Sequence, residues 1–108
     1  MSKIGKLMPA IQDYSESLAL DPKNVHALHN RGLLNKKVAD NRTAIGDFSC
    51  LLELLPNNVG AYFNRGHCYE QIGQLDQALA DYSKALELEG RGGKSDPILS
   101  SVLMHATE

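Results

Sequence analysis

Three of the four histidines, the two cysteines and a repeated Asn-Arg-Gly tripeptide are the residues of this chain with chemistry to offer. His26 and His29, spaced i and i+3, could hold zinc with His67 as a third ligand. Histidines at this density read as polar surface, and no metal site is expected. Cys50 and Cys68 lack the paired spacing of metal ligands and read as reduced thiols, Cys68 in a tight packing slot and Cys50 inert on a helix. No nucleophile, base and orienting acid come together, and no glycine loop follows a strand. The chain is therefore read as non-enzymatic and without a cofactor.

The tripeptide occurs as Asn30-Arg31-Gly32 and again as Asn64-Arg65-Gly66. A side-chain amide can hold the backbone of an extended peptide irrespective of its sequence. Each arginine also follows an aspartate at one and the same spacing, Asp13 before Arg31 and Asp47 before Arg65. The expectation is a structural ladder, in which each guanidinium lays its stem along the fold and pairs with an aspartate of its own or the preceding unit.

The elements that position these residues follow from the interval between the two tripeptides. Asp13-Tyr14-Ser15, Asp47-Phe48-Ser49 and Asp81-Tyr82-Ser83 recur at that same interval. Laying 25–58 over 59–92 also aligns Val25 with Val59, Ala27 with Ala61, Ala44 with Ala78, and Leu52-Glu53-Leu54 with Leu86-Glu87-Leu88. One unbroken register of this kind is an internal repeat. Each unit carries two apolar stripes at helical spacing, such as Tyr62, Gly66, Tyr69 and then Ala78, Tyr82, Ala85, Leu86. Turns are marked by Asp40-Asn41, by Gly73, and between units by Asp21-Pro22-Lys23-Asn24 and Leu55-Pro56-Asn57-Asn58. Helices are predicted near 7–20, 25–38, 42–54, 59–72 and 76–89, with no strand.

This pattern closely resembles the tetratricopeptide repeat family, whose 34-residue unit reads W-x2-L-G-x2-Y, then A-x3-F, then P. Tyr62, Gly66, Tyr69, Ala78 and Tyr82 occupy it in one repeat, and Leu28, Gly32, Ala44, Phe48 and Pro56 in the one before. Ala10, Tyr14 and Pro22 supply the back half of a third. The resemblance implies an all-α, right-handed solenoid of stacked antiparallel hairpins. Its expected organisation is a half repeat over 1–24 and repeats over 25–58 and 59–92. Gly32, Gly66, Ala44 and Ala78 are small where two helices cross closely, and stacking builds the core that one hairpin lacks.

Both ends break the pattern. The helix with Ile11, Tyr14 and Leu18 lacks its usual leading partner, so the array is expected to begin half-open. Gly90-Arg91-Gly92-Gly93 replaces the proline connection, and 93–108 follows as a capping helix or a flexible tail. The helical reading has Asp96 as cap and Ile98, Leu99, Val102 and Leu103 as one apolar face. Between the ends, Asn35 stands where the next unit has Tyr69 and Asn41 where it has Leu75, which reads as a weaker middle unit. Leaving an end open forgoes roughly 1.5–3 kcal/mol per large apolar side chain, so a second copy, a fold-back or further repeats should cover it.

In the family, the leading helices line a concave groove that takes a peptide or helix of another protein. Carried over by register, the groove draws His26, His29, Asn30, Leu33, Lys36 and Lys37 from one repeat. Phe63, Asn64, His67, Glu70 and Gln71 come from the next. The clamp by which some members hold a chaperone's C-terminal carboxylate is not carried over, because only Asn30 fits and no convergent cations remain. The implied function is protein–protein interaction. The alternative is a self-associating fragment of a longer array, a homo-oligomer through its open N-terminal end. A net charge of −2, with 22% charged residues, carries no footprint for nucleic acid. No apolar run approaches a bilayer span, so no membrane is expected and the expected location is cytoplasmic.

Overall fold

The computed structural model describes residues 3–92. Among them five helices follow in order: α1 (Lys3–Leu20), α2 (Val25–Lys37), α3 (Asn41–Leu54), α4 (Val59–Gln71) and α5 (Leu75–Gly92). Each packs against its neighbours in sequence, and α2 also touches α4. The result is an all-α right-handed solenoid of stacked antiparallel hairpins. None of the described helices is long and apolar enough to cross a membrane. The closing helix or tail expected over 93–108 lies outside the described residues.

Helix starts follow from short polar side chains. Asn24 Oδ1 accepts from Ala27 N at 3.0 Å, and its repeat counterpart Asn58 accepts from Ala61 N at 2.9 Å. Asp40 caps α3 by accepting from Thr43 N at 3.3 Å. Such caps each contribute about 1 kcal/mol. Within the hairpins the turn needs a left-handed residue, supplied by Gly73 at φ 82° and by Ala39 at φ 65°.

The end helices run further than their spacing predicted. Helix α1 begins at Lys3 instead of 7, so that Gly5-Lys6, level with the turn pairs Ala39-Asp40 and Gly73-Gln74, is helical. Pro9, level with Thr43 and Gln77 in the first turns of α3 and α5, lies inside the longer α1, where it removes the i to i−4 bond to the Gly5 carbonyl. Helix α5 continues through the expected glycine stop to Gly92, since no proline stands where Pro22 and Pro56 end the earlier units.

The core runs through the middle helices and includes Leu18, Leu28, Phe48, Leu51, Ala61 and Cys68. A Cβ built on Gly32 would lie 2.8 Å from Phe48 Cζ, and one on Gly66 3.1 Å from Tyr82 Cδ1. This contact is why the repeat demands glycine: the aromatic of the trailing helix presses the edge of its ring against the leading backbone. Cys68 fills a fully buried slot, and burial pushes its thiol pKa up, whereas Cys50 is exposed. Leu18 is buried in the core, while Ile11 and Tyr14 remain half-buried.

Candidate functional site

The repeated arginines form rungs across three helices. Arg31 donates through Nε and Nη2 to Asp47, with Nη2–Oδ1 at 2.6 Å, and through Nη1 to Ser15 Oγ at 3.2 Å. Arg65 repeats this on Asp81 at 2.8 and 2.7 Å and on Ser49 at 3.2 Å. The aspartate of each rung is therefore the one ahead of its arginine, on the trailing helix of the same hairpin, and not the one behind it in the preceding unit. The preceding unit contributes a serine instead, because its helix reaches only the outer nitrogen of the fork. Hydrogen bonding to Asp81 raises the Arg65 pKa further above its ordinary value, and the Tyr62 and Tyr69 rings flank its guanidinium at 5.7 and 5.9 Å. Asn35, level with Tyr69, is no defect. It is buried and donates Nδ2 to Asp47 Oδ2 at 3.0 Å.

Both arginine heads are bound internally. A cavity of about 510 Å³ opens along the leading helices. It brings together Asn30, Leu33, Lys36 and Lys37 of α2 with His67 and Gln71 of α4, all expected from register. Lys36 Nζ donates to Asn64 Oδ1 at 3.0 Å and so ties the two helices across the groove. His67 Nε2 stands 3.5 Å from Gln71 Nε2, and its Nδ1 is buried without a hydrogen-bond partner.

The remaining expected residues are placed elsewhere. Phe63 lies against Tyr82, ring centroids 6.1 Å apart, and His29 meets the Phe48 ring edge-on at 6.4 Å. Glu70 accepts from the Tyr82 hydroxyl at 2.8 Å, and His26 is exposed. Desolvation first, then the bond to Glu70, pushes the Tyr82 pKa up to about 12. Among the described residues no group of three or more His, Cys, Asp or Glu is placed to hold a metal ion.

The cavity also includes residues that sequence reasoning did not assign to it: Ala10 and Tyr14 of α1, Leu34, Ala39 and Asn41. Tyr14 carried a usable signal. It is the third member of the series Phe48, Tyr82, and no leading helix of its own precedes it among the described residues.

Comparison with known proteins agrees with this geometry. Residues 59–90 match the model of the tetratricopeptide repeat. No curated protein sequence matches the chain. A crystal structure of MamA superposes with a TM-score of 0.78 at 27% identity, over 83% of this chain and 53% of that one. MamA from Desulfovibrio magneticus RS-1 gives 0.75 at 22% identity, over 80% and 49%, a likeness of fold alone. The first TPR of Spaghetti (RPAP3), bound to the HSP90 peptide SRMEEVD, gives 0.76 at 25%, over 95% and 79%. The chain spans about half the length of the MamA structures it matches. Residues 59–90 are thus a tetratricopeptide repeat, and the hairpin before them is built on the same glycine, aromatic and arginine positions.

Proposed function

We propose that this chain is a non-enzymatic interaction module whose concave groove captures an acidic, extended segment of a partner protein. The working unit is residues 1–92, read as a half repeat over 1–24 and repeats over 25–58 and 59–92. The observation that carries the reading is the balance of hydrogen-bonding groups in the cavity. Lys36 and Lys37 line it, no aspartate or glutamate is among its described lining residues, and Lys36 bonds the Asn64 oxygen, leaving that amide's N–H donors to offer. Side-chain amides beside cationic tips recognise an extended backbone and its carboxylates. The acidic SRMEEVD peptide on the Spaghetti (RPAP3) repeat is consistent with that chemistry. This chain meets it differently, with its lysines at the end of α2. We also infer a cytoplasmic setting, in which Cys50 and Cys68 stay reduced.

The test is selection from a random displayed-peptide library on the full chain, followed by anisotropy titration of the enriched peptides. Enriched sequences carry acidic residues, and Lys36→Gln and Asn64→Ala each weaken binding about fivefold or more, the loss of one charge-assisted contact. Enrichment of neutral or basic peptides, or equal binding to both variants, overturns the reading.

A further inference from the structure

We infer that His67 positions the Gln71 side-chain amide so that its NH2 group, and not its oxygen, faces the groove and donates to a carboxylate of the bound segment. The inference rests on the reading of the groove as a site for an acidic segment and deepens it by one named contact. It draws on α2 and α4 alone.

His67 and Gln71 stand one helical turn apart on α4, so their side chains share a face, and both line the cavity. His67 Nε2 and Gln71 Nε2 meet at 3.5 Å. A hydrogen bond can join the pair in two ways. With the ring hydrogen on Nδ1, Nε2 accepts from the Gln71 NH2 group, and the amide oxygen is left for the groove. With the ring hydrogen on Nε2, the ring donates to the amide oxygen after a half-turn of the amide, and the NH2 group is left instead.

Burial at the other ring nitrogen decides between them. Nδ1 is shut off from solvent and meets no hydrogen-bond partner. The first arrangement strands a buried N–H there without an acceptor, whereas the second strands only a lone pair. Folded proteins leave buried N–H groups orphaned more rarely than they leave acceptors under-satisfied. The ring hydrogen therefore belongs on Nε2, and the Gln71 oxygen turns toward it.

His67 then does for Gln71 what Lys36 does for Asn64, whose oxygen accepts from Lys36 Nζ at 3.0 Å. In each case an internal donor takes the amide oxygen and leaves the NH2 group to meet the ligand. Gln71 shares its cavity with Lys36 and Lys37. A carboxylate, which only accepts, is drawn by all three side chains. In the opposite arrangement the Gln71 oxygen would repel that same carboxylate. His67 is thus a positioning residue, and Gln71 is the one that touches the ligand.

The first measurement is a two-bond nitrogen–proton correlation spectrum of the free full chain at about pH 8.5, some two units above the ordinary histidine value, with His67→Gln identifying the ring. The Nε2–H tautomer is expected, and the Nδ1–H tautomer overturns the inference with no peptide present. The second is anisotropy titration of the most enriched acidic library peptide, labelled with fluorescein. Gln71→Leu should weaken binding about tenfold, the loss of one hydrogen bond to a charged group. His67→Leu should weaken it about threefold in the native background and not at all beside Gln71→Leu, while His67→Gln, whose amide nitrogen reaches about as far as Nε2, restores most of the affinity. Thermal unfolding confirms that each variant is folded at the titration temperature. A loss in Lys36→Gln with none in Gln71→Leu overturns the inference and leaves the groove reading standing, as does a His67→Leu effect that persists beside Gln71→Leu. Selection without acidic peptides overturns both.

Discussion

Removing the carboxylate of Asp47 should cost more than removing that of Asp81, although the two occupy the same position of the repeat. Asp47 accepts Arg31 Nε at 3.1 Å, Arg31 Nη2 at 2.6 Å and Asn35 Nδ2 at 3.0 Å, and is 3% exposed. Breaking one side of a buried ion pair costs roughly 3–5 kcal/mol, and the guanidinium's access to water, at 24% side-chain exposure, sets the lower end. The Asn35 amide, 4% exposed, then loses its acceptor too, which adds about 1–3 kcal/mol. Asp47→Ala should therefore destabilise by about 4–5 kcal/mol. Asp81→Ala leaves no orphaned amide, and Arg65 keeps its two tyrosine rings, so about 3 kcal/mol is expected there. Urea unfolding of the full chain followed by far-ultraviolet circular dichroism measures both. A cycle with Arg31→Met isolates the pair and should return a coupling of about 2 kcal/mol or more. Equal losses in the two variants, or losses below about 1 kcal/mol, would refute the assignment of Asp47 as a three-donor hub.

Other outcomes follow from the same packing. Gly32→Ala should cost about 1–3 kcal/mol and exceed Gly66→Ala, because Phe48 is fully buried and cannot yield while Tyr82 is half-buried; thermal unfolding ranks them. Ala39→Gly should stabilise by about 0.5 kcal/mol, as relief of a left-handed alanine outweighs the added unfolded-state entropy, and Gly73→Ala should cost about 1 kcal/mol. Tyr82, an acid whose folded pKa is raised from 10.0 to about 12, contributes stability that is fully present below pH 10.0 and lost as pH rises through about 12. Spectrophotometric titration should show a late phenol that Tyr82→Phe removes. A thiol reagent should label exposed Cys50 promptly and buried Cys68 only on unfolding.

The period alone carried most of the helix boundaries, since Asn24, Asn58, Pro22 and Pro56 act locally and their effects do not depend on what packs nearby. The same holds for Gly32 and Gly66, whose smallness in a repeating slot signals a close crossing. The partners of the arginines were harder to read, because the repeating register leaves an aspartate available on both sides of each arginine and only the docking of the trailing helix selects one. Asn35 looked like a lost aromatic because its value depends on Asp47, on the next helix and invisible to periodicity. Of the residues expected in the groove, Asn30, Leu33, Lys36, Lys37, His67 and Gln71 line the cavity, where register sets the side of the leading helix a residue occupies. Glu70, His29 and Phe63 contact trailing-helix aromatics, which periodicity does not reveal.

Each rung draws its serine from one unit and its arginine and aspartate from the next. A duplicated unit inserted into such an array therefore arrives with a donor fork matched to the hydroxyl already waiting, and with a hydroxyl ready for the unit that follows. The joint is self-complementary in register, so array length can change by whole units without any new contact having to evolve.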